Sequence, residues 1–191
     1  MKRLVCVVEG KGEVAAIPRL CARILGHLGI SGWYVDEDPI RQPRGALVDM
    51  RGPSEMRRCL PEGIRRAVGL ALKRRPQGVL VLCDSDDACA AVWGPDASAL
   101  VAERVAGGAV MAVREYEAWF LGGLPTADLQ RLRLKHPEAV RDAKGRMTRV
   151  VPGYLPTTHQ LEQTRILNIE AARRRCPSFD KLVRVVDEVC R

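Results

Sequence analysis

The sequence predicts an α/β fold, with a doubly wound, mostly parallel sheet of about four strands and a helical C-terminal extension. Over residues 1–122, short apolar runs alternate with amphipathic helical segments. Such alternation indicates parallel strands joined by crossover helices. Residues 123–191 show a helical pattern alone, broken by Pro137, Pro152 and Pro156. We therefore expect this extension to pack on the same domain rather than to lengthen the sheet.

The individual elements follow from the period of the apolar residues. The predicted strands are short and apolar, and they cover residues 3–9, 32–37, 78–84 and 108–115. The predicted helices cover residues 13–29, 54–75, 95–106 and 116–123, and the last of these is closed by glycine. Residues 38–54 are rich in proline, glycine and arginine and follow neither period. This composition predicts a loop that contacts substrate.

The composition limits the class of protein. With 191 residues and 47% hydrophobic content, the chain is sized for one α/β core. Its seven cysteines include no C-x-x-C pair and lie mostly in apolar stretches, which indicates reduced core residues in the cytoplasm. The N-terminal apolar run is too short for a signal peptide, and no run is long enough to span a membrane. We therefore expect a cytoplasmic protein without membrane contact.

The charge favours a polyanionic partner. The formal net charge is +8, and basic side chains that bind a phosphate backbone release its counterions. A basic surface that merely keeps the protein soluble is the alternative. Aromatic residues make up only 4% of the chain, which argues against recognition by base stacking. The residues predicted to contact nucleic acid or phosphate are Lys11, Arg41, Arg44, Arg51 and Lys144, although a solvated basic loop also accounts for Lys144.

The turn after the first strand resembles a phosphate-binding turn but carries acids. Gly10, Gly12 and Ala15 match the G-x-G-x-x-A fingerprint of dinucleotide-binding folds. Glu9, however, would face the pyrophosphate, and Glu13 would put a negative charge at the helix N-terminus that the anion needs. Two unit charges about 4 Å apart repel by about 1 kcal/mol in water and about 4 kcal/mol at an effective dielectric of 20. Dinucleotide binding is therefore only a lesser alternative.

A second group of acids follows the third predicted strand, where Asp84, Asp86 and Asp87 lie close together. Aspartate is also common in turns and helix caps, which is the plain structural account. If the first and third strands are adjacent, their carboxyl ends bring Glu9, Asp84 and Asp86 to the same edge of the sheet. Carboxylates in one crevice need a cation between them, and oxygen ligands suit Mg²⁺ or Mn²⁺. The sequence therefore predicts a metal site that in turn holds phosphate.

These motifs resemble a known family. VEGKGEV (8–14) and LCDSDD (82–87) resemble the Toprim domain of the overcoming-lysogenization-defect nucleases, and REYEAWFL, DAKG, YLPTTHQ and CPSFDKLV resemble a Toprim-like bacterial family, domain of unknown function 4276. The resemblance implies that Glu9 is a general acid or base and that Asp84 and Asp86 bind Mg²⁺. It implies further metal-binding roles for Glu13 and Asp87. No topoisomerase tyrosine, zinc-binding segment or ATPase segment stands out, so neither strand passage nor priming is expected.

Five further residues near these motifs receive simpler interpretations. Glu115 and Glu117 follow the fourth predicted strand, so they could reach the metal edge. Trp119 and Phe120 are expected in the core. His159 is expected to form a hydrogen bond at a helix start rather than to act as a catalyst.

The first functional hypothesis is a cytoplasmic hydrolase that uses Mg²⁺ or Mn²⁺ to cleave phosphodiester bonds in nucleic acid. Glu9, Asp84 and Asp86 would carry the reaction, DNA is favoured over RNA, and a defence or DNA-repair module is the expected setting. The rival hypothesis is a non-catalytic or partner-dependent subunit. That subunit would use the same surface to bind nucleic acid or an ATPase encoded nearby. The oligomeric state is left open.

Overall fold

Five strands form one parallel sheet in the computed structural model, which describes residues 1–191. The strands are β1 (Lys2–Val8), β2 (Trp33–Val35), β3 (Ile40–Arg41), β4 (Gly78–Asp84) and β5 (Gly107–Ala112). Their order is β2-β1-β4-β5, and β3 pairs with the end of β1 that extends beyond β2. This mixture of a parallel sheet and crossover helices confirms the predicted α/β class.

The pairing of β1 with β4 determines which residues meet at the edge of the sheet. Both strands are buried on both faces, which is typical of interior strands in a parallel sheet. Val8 of β1 is paired with Leu82 of β4. Glu9 and Asp84 therefore lie one and two residues beyond the last pair that joins β1 to β4.

Successive side chains of a strand point to opposite faces, so the two acids leave the sheet in different directions. Val8 belongs to the larger hydrophobic core on one face, and Val7 belongs to the smaller core on the other. Glu9 therefore falls on the side of the smaller core. Leu82 belongs to the larger core, so Asp84, two residues later, falls on that side.

Ten helices surround the sheet. They are α1 (Lys11–His27), α2 (Arg44–Leu47), α3 (Pro61–Leu72), α4 (Ala90–Ala102), α5 (Glu117–Gly123), α6 (Thr126–Arg131), α7 (Ala143–Met147), α8 (Pro156–Ile166), α9 (Ile169–Arg175) and α10 (Pro177–Cys190). Two 3-10 turns lie at Ser54–Met56 and Pro137–Ala139. None of the ten helices combines the length and the apolar character needed to cross a membrane.

The helices divide between the two faces. Helices α2, α3 and α4 supply the smaller core, and α1, α5, α9 and α10 supply residues to the larger one. Helix α10 packs on β5 and β4, and α8 packs along α1. The C-terminal helices therefore cover one face of the sheet and reach the turn that follows β1.

Most element boundaries are shifted from the predicted ones, and the structure departs furthest from the prediction at three places. The helix predicted over residues 54–75 begins at Pro61, because the fixed φ of proline suits the first helical turn. Helix α4 begins at Ala90, five residues before the predicted start, and contains Pro95. The predicted loop over residues 38–54 contains both β3 and α2, so the sheet has five strands rather than about four.

Candidate functional site

A polar cavity of about 240 Å³ lies at the carboxyl ends of β1 and β4. The turn after β1 supplies one wall, Asp84 supplies the floor from β4, and α7 and α8 close the other side. The lining residues are Glu9, Gly10, Lys11, Gly12, Glu13, Asp84, Lys144, Pro156, Thr157 and Gln160. The structure therefore brings together Glu9, Glu13 and Asp84, three of the acids singled out in the sequence, with two of the predicted basic residues.

Glu13 caps the helix that follows the turn. Its Oε2 accepts hydrogen bonds from the backbone N–H groups of Glu9, at 3.2 Å, and of Gly10, at 3.1 Å. A dinucleotide would need free backbone amides at this turn for its pyrophosphate. Gly12 is also covered, because a methyl group there would collide with the side chain of Gln160 and lie 2.8 Å from the carbonyl oxygen of Pro156. These contacts disfavour the dinucleotide alternative.

Asp84 is held from the opposite side of the cavity. Its Oδ1 accepts a hydrogen bond of 2.8 Å from the backbone N–H of Tyr116, and its side chain is only 15% exposed. The Nζ of Lys144 lies 3.8 Å from its other oxygen, Oδ2. Lys144 is fixed in turn by Glu115, whose carboxylate accepts from the Lys144 backbone N–H at 2.9 Å and from its Nζ at 3.3 Å.

The side chain of Arg44 contacts the acidic turns at the carboxyl ends of β1 and β4. Its Nη1 donates to Glu9 Oε2 at 3.3 Å and to the carbonyl oxygen of Asp84 at 2.6 Å, and its Nη2 donates to the carbonyl oxygen of Ser85 at 2.9 Å. The same Nη1 lies 3.3 Å from Asp86 Oδ2. This side chain, which the sequence predicts to contact nucleic acid, bridges the turns that follow β1 and β4.

Asp86 and Asp87 lie beside the cavity rather than in it. Asp86 adopts a left-handed backbone conformation, with φ of +48°, and its side chain is 56% exposed. Asp87 forms ion pairs with Arg114 and, at 3.5 Å, with Arg141. Both aspartates line a separate pocket of about 180 Å³. The five predicted metal-binding acids therefore divide into three that share the cavity and two that border it.

The pKa values of the three acids in the cavity are all raised, because ionised carboxylates are unfavourable in this buried, acidic site. Burial raises the pKa of Glu9, although the charge of Arg44 acts in the opposite direction. Burial raises the pKa of Glu13 to about 7, opposed by its hydrogen bond from Gly10 and assisted by the charge of Glu9. Burial, together with the charge of Glu13, raises the pKa of Asp84 well above its usual range. A cation in the cavity would relieve this repulsion.

The carboxylates offer suitable atoms to such a cation. Glu9, Glu13 and Asp84 are each anchored through one oxygen, and their remaining oxygens, Glu9 Oε1, Glu13 Oε1 and Asp84 Oδ2, accept no hydrogen bond. No group of three or more histidine, cysteine, aspartate or glutamate side chains is placed so that together they could hold a metal ion. Mg²⁺ commonly binds through one or two carboxylates and keeps several waters. The residues therefore fit a hydrated, partly coordinated ion and not a closed protein cage.

The side chain of Glu117 is fully buried directly behind the wall of the cavity that Gln160 forms. Its Oε1 accepts hydrogen bonds from the Tyr154 hydroxyl at 3.0 Å and from Gln160 Nε2 at 2.9 Å, while its Oε2 is buried without a partner. Burial alone would lower the pKa of Lys144, but the charges of Glu117, Asp84 and Glu115 raise it. The sequence indicated that Glu117 could reach this edge. Tyr154 and Gln160 begin and end the YLPTTHQ segment that carries the family resemblance, but no role was predicted for either residue.

The remaining predicted residues are spread over the surface and the core. Lys11 is exposed on the turn, and Arg41 is exposed on β3. Arg51 is paired with Asp49, its Nη2 lying 2.6 Å from Asp49 Oδ2. His159 Nδ1 accepts from the backbone N–H of Leu155 at 2.9 Å, which is the expected bond at a helix start. The side chains of Trp119 and Phe120 are buried in the larger core, as expected.

Comparison with known proteins gives a family but no characterised relative. Among curated proteins, and likewise among solved structures, nothing matches the chain. A family model described as a domain of unknown function (DUF4276) matches residues 8–187, which include both acidic turns and the C-terminal helices that close the cavity. The chain therefore belongs to the DUF4276 family.

Proposed function

We propose that the chain is a hydrolase that uses Mg²⁺ or Mn²⁺ to cleave phosphodiester bonds in nucleic acid. The observation that carries this proposal is the cavity at the edge of the sheet. Three carboxylates with raised pKa values meet there, each with one oxygen free of hydrogen bonds. The Toprim resemblance of the same two turns supports the assignment.

The roles of the residues follow from their positions. Glu13 and Asp84 would hold the metal, because both residues line the cavity and one carboxylate oxygen of each is fixed by backbone N–H groups. Glu9 would accept or return the proton, since burial raises its pKa above that of an ordinary carboxylate. A bound Mg²⁺ would polarise the phosphate and lower the pKa of the attacking water. Asp86 would act from the border of the site.

The basic residues of the cavity would stabilise the phosphate. Lys144 lies 3.8 Å from Asp84 Oδ2, so its ammonium group can face a phosphate oxygen bound next to that carboxylate. Lys11 is exposed at the mouth of the cavity, on the turn that carries Glu9. Both side chains can offset the charge that develops on phosphate oxygens during displacement. We also propose a cytoplasmic location, because all seven cysteines are free thiols, as is usual in a reducing compartment.

A second candidate function is a subunit that needs a partner. Arg44 and Lys144 already place basic groups beside the acids, at 3.3 Å from Glu9 and 3.8 Å from Asp84. This observation favours a site that becomes competent only after these side chains move. An ATPase encoded nearby, in a defence or DNA-repair module, would be the partner.

A cleavage assay tests the proposal directly. The protein would be incubated with single-stranded and duplex DNA and RNA, with Mn²⁺, Mg²⁺ or EDTA, and with and without the candidate ATPase. We expect metal-dependent cleavage that Glu9→Gln and Asp84→Asn each abolish. Cleavage only with the ATPase present would support the partner-dependent subunit, and no cleavage under any condition would overturn the hydrolase.

A further inference from the structure

A strongly basic groove lies next to the cavity. It has a volume of about 600 Å³ and is formed by residues 133–149, between the end of α6 and α7. Five cationic side chains line it, and Asp142 is its one carboxylate. The cationic residues are Arg133, Lys135, Arg141, Arg146 and Arg149. We call this surface the basic groove.

The positive charge of the basic groove is not neutralised within the protein. The carboxylate of Asp142 is occupied as the N-cap of α7, where it accepts a hydrogen bond of 2.8 Å from the backbone N–H of Gly145. Of the five cationic residues, only Arg141 takes part in an ion pair. That pair, with Asp87 at 3.5 Å, leaves the Arg141 side chain 77% exposed. Four cationic groups therefore face one concave surface without an internal counter-ion.

The backbone beneath these side chains is anchored. Leu134, Ala143 and Met147 are buried in the larger core, so the exposed cations alternate with residues that fix the segment to the domain. Glu115 accepts a hydrogen bond of 2.9 Å from the backbone N–H of Lys144, which ties α7 to the connection after β5. The cationic side chains are thus carried on a supported surface and not on a free loop.

The basic groove adjoins the acidic cavity along α7. Lys144 lines the cavity, while Arg141, Gly145 and Arg146 on either side of it line the groove. Arg141 also lines the pocket that contains Asp86 and Asp87. The same short helix therefore places one basic side chain beside the acids and directs its neighbours along the groove.

We propose that the basic groove binds the sugar-phosphate backbone of nucleic acid and guides it to Lys144. The inference rests on the proposed function and adds the surface that holds the substrate. Guanidinium groups suit phosphate oxygens, and the lack of Phe, Tyr and Trp side chains in the groove, where His136 is the one ring, argues for binding through the backbone without sequence preference. Because α7 contributes residues to both the groove and the proposed cleavage site, a nucleic-acid strand is favoured over an acidic protein.

The test compares two triple variants that remove the same charge. The groove variant is Lys135→Gln, Arg146→Gln, Arg149→Gln. The control variant is Arg66→Gln, Lys73→Gln, Arg104→Gln, which changes exposed residues on α3 and after α3 and α4, near the smaller core. None of these six residues forms an ion pair in the structure, and each set contains one lysine and two arginines. Circular dichroism and thermal melting would establish that both variants fold.

Binding would be measured by fluorescence anisotropy in EDTA, so that cleavage cannot interfere. The probes would be a fluorescent single strand and a duplex of mixed sequence, titrated at several salt concentrations. We expect the groove variant to bind at least about tenfold more weakly at moderate salt, with the slope of log K against log salt reduced by about 2 to 3 units. The control variant should bind within about twofold of wild type. Changing Arg146 and Arg149 to lysine should preserve the slope.

Several outcomes would overturn the basic groove as a nucleic-acid surface. These are an unchanged affinity and salt slope in the groove variant, an equal loss in the control variant, no binding by the wild type, or equally tight binding of polyglutamate. The proposed hydrolase fails separately. If the wild type binds through the groove but never cleaves, the groove stands and the hydrolase does not. If the groove variant cleaves and binds as the wild type does, the hydrolase stands and the groove does not.

Discussion

The guanidinium group of Arg44 lies 3.3 Å from the carboxylate of Glu9, so a basic side chain already occupies the acidic edge where the sequence predicts a metal. Arg44 Nη1 also lies 3.3 Å from Asp86 Oδ2. Its remaining bonds go to the backbone carbonyls of Asp84 and Ser85. Arg44 therefore holds the two turns together, and it would compete with a cation that enters the proposed metal site.

The first prediction follows from this double role. Arg44→Gln should bind Mn²⁺ several-fold more tightly, because a competing positive charge is removed. It should also lower the free energy of unfolding in metal-free buffer by about 1–3 kcal/mol, because buried carbonyls lose donors. Calorimetry and urea denaturation measure the two effects. Arg58→Gln, which removes an exposed pair with Asp96, should change neither quantity appreciably. Unchanged or weaker Mn²⁺ binding by Arg44→Gln would contradict the competition.

The second prediction concerns metal binding itself. Mn²⁺ should raise the melting temperature of the wild type, because an ion that binds only the folded state stabilises it. The double variant Asp84→Asn, Asp86→Asn should lose most of this shift and most of its calorimetric affinity. The Asp49→Asn variant, in which the altered acid pairs with Arg51 outside the cavity, serves as the control. Equal affinity in the wild type and the double variant would remove the metal from this site.

The third prediction separates a catalytic Asp84 from a structural one. Asp84→Asn keeps an acceptor for the backbone N–H of Tyr116, which Asp84 Oδ1 binds at 2.8 Å, whereas Asp84→Ala does not. We therefore expect Asp84→Asn to be at least as stable as the wild type in metal-free buffer. Asp84→Ala should be less stable than Asp84→Asn by about 1 kcal/mol. Both should abolish Mn²⁺-dependent cleavage. Full cleavage by folded Asp84→Asn protein would exclude Asp84 from catalysis.

The fourth prediction is a pH dependence carried by Glu13. Its pKa is raised from 4.5 to about 7 in the folded protein, so the folded state holds an extra proton between these values. Stability should therefore fall as pH rises from about 4.5 to about 7, by up to about 3 kcal/mol for this group, and then level off. Urea denaturation in EDTA of the wild type and Glu13→Gln would show this.

The Glu13→Gln variant should lose that part of the slope, since glutamine does not titrate. The charge of Glu13 also raises the pKa of Asp84, so the difference between the two curves reports the titration of Glu13 together with its effect on Asp84. Identical slopes would mean that Glu13 is ionised throughout in the folded state. Metal binding should show the reverse trend in the wild type, with affinity increasing as pH rises through about 7, because the ion must displace a proton.

The acidic edge was predictable because it depends on local patterns. The burial of β1 and β4 on both faces is visible in their apolar runs, and parallel strands end at one edge. With the added assumption that these two strands are neighbours, which the structure confirms, these facts predict the meeting of Glu9 with Asp84. The capping bond of Glu13 is also local, since its carboxylate reaches backbone N–H groups only three and four residues earlier.

The rest of the site depends on contacts between distant segments, which local patterns do not contain. The direction of Arg44 is decided by carbonyl groups 40 and 41 residues later in the chain. The bond from Gln160 to Glu117 spans 43 residues, and neither partner alone indicates it. β3 is only two residues long, so its periodicity could not be detected within the loop.

The close packing of α8 against Gly12 has a consequence for how the protein can be divided. Pro156 and Gln160 form a wall of the acidic cavity, so a protein shortened before residue 156 would keep the whole sheet yet open the cavity to bulk water. A protease cut in the connection between α7 and α8 would have a similar effect. The N-terminal turn and the C-terminal helices therefore shape the cavity together, and a fragment that lacks either should lack the complete site.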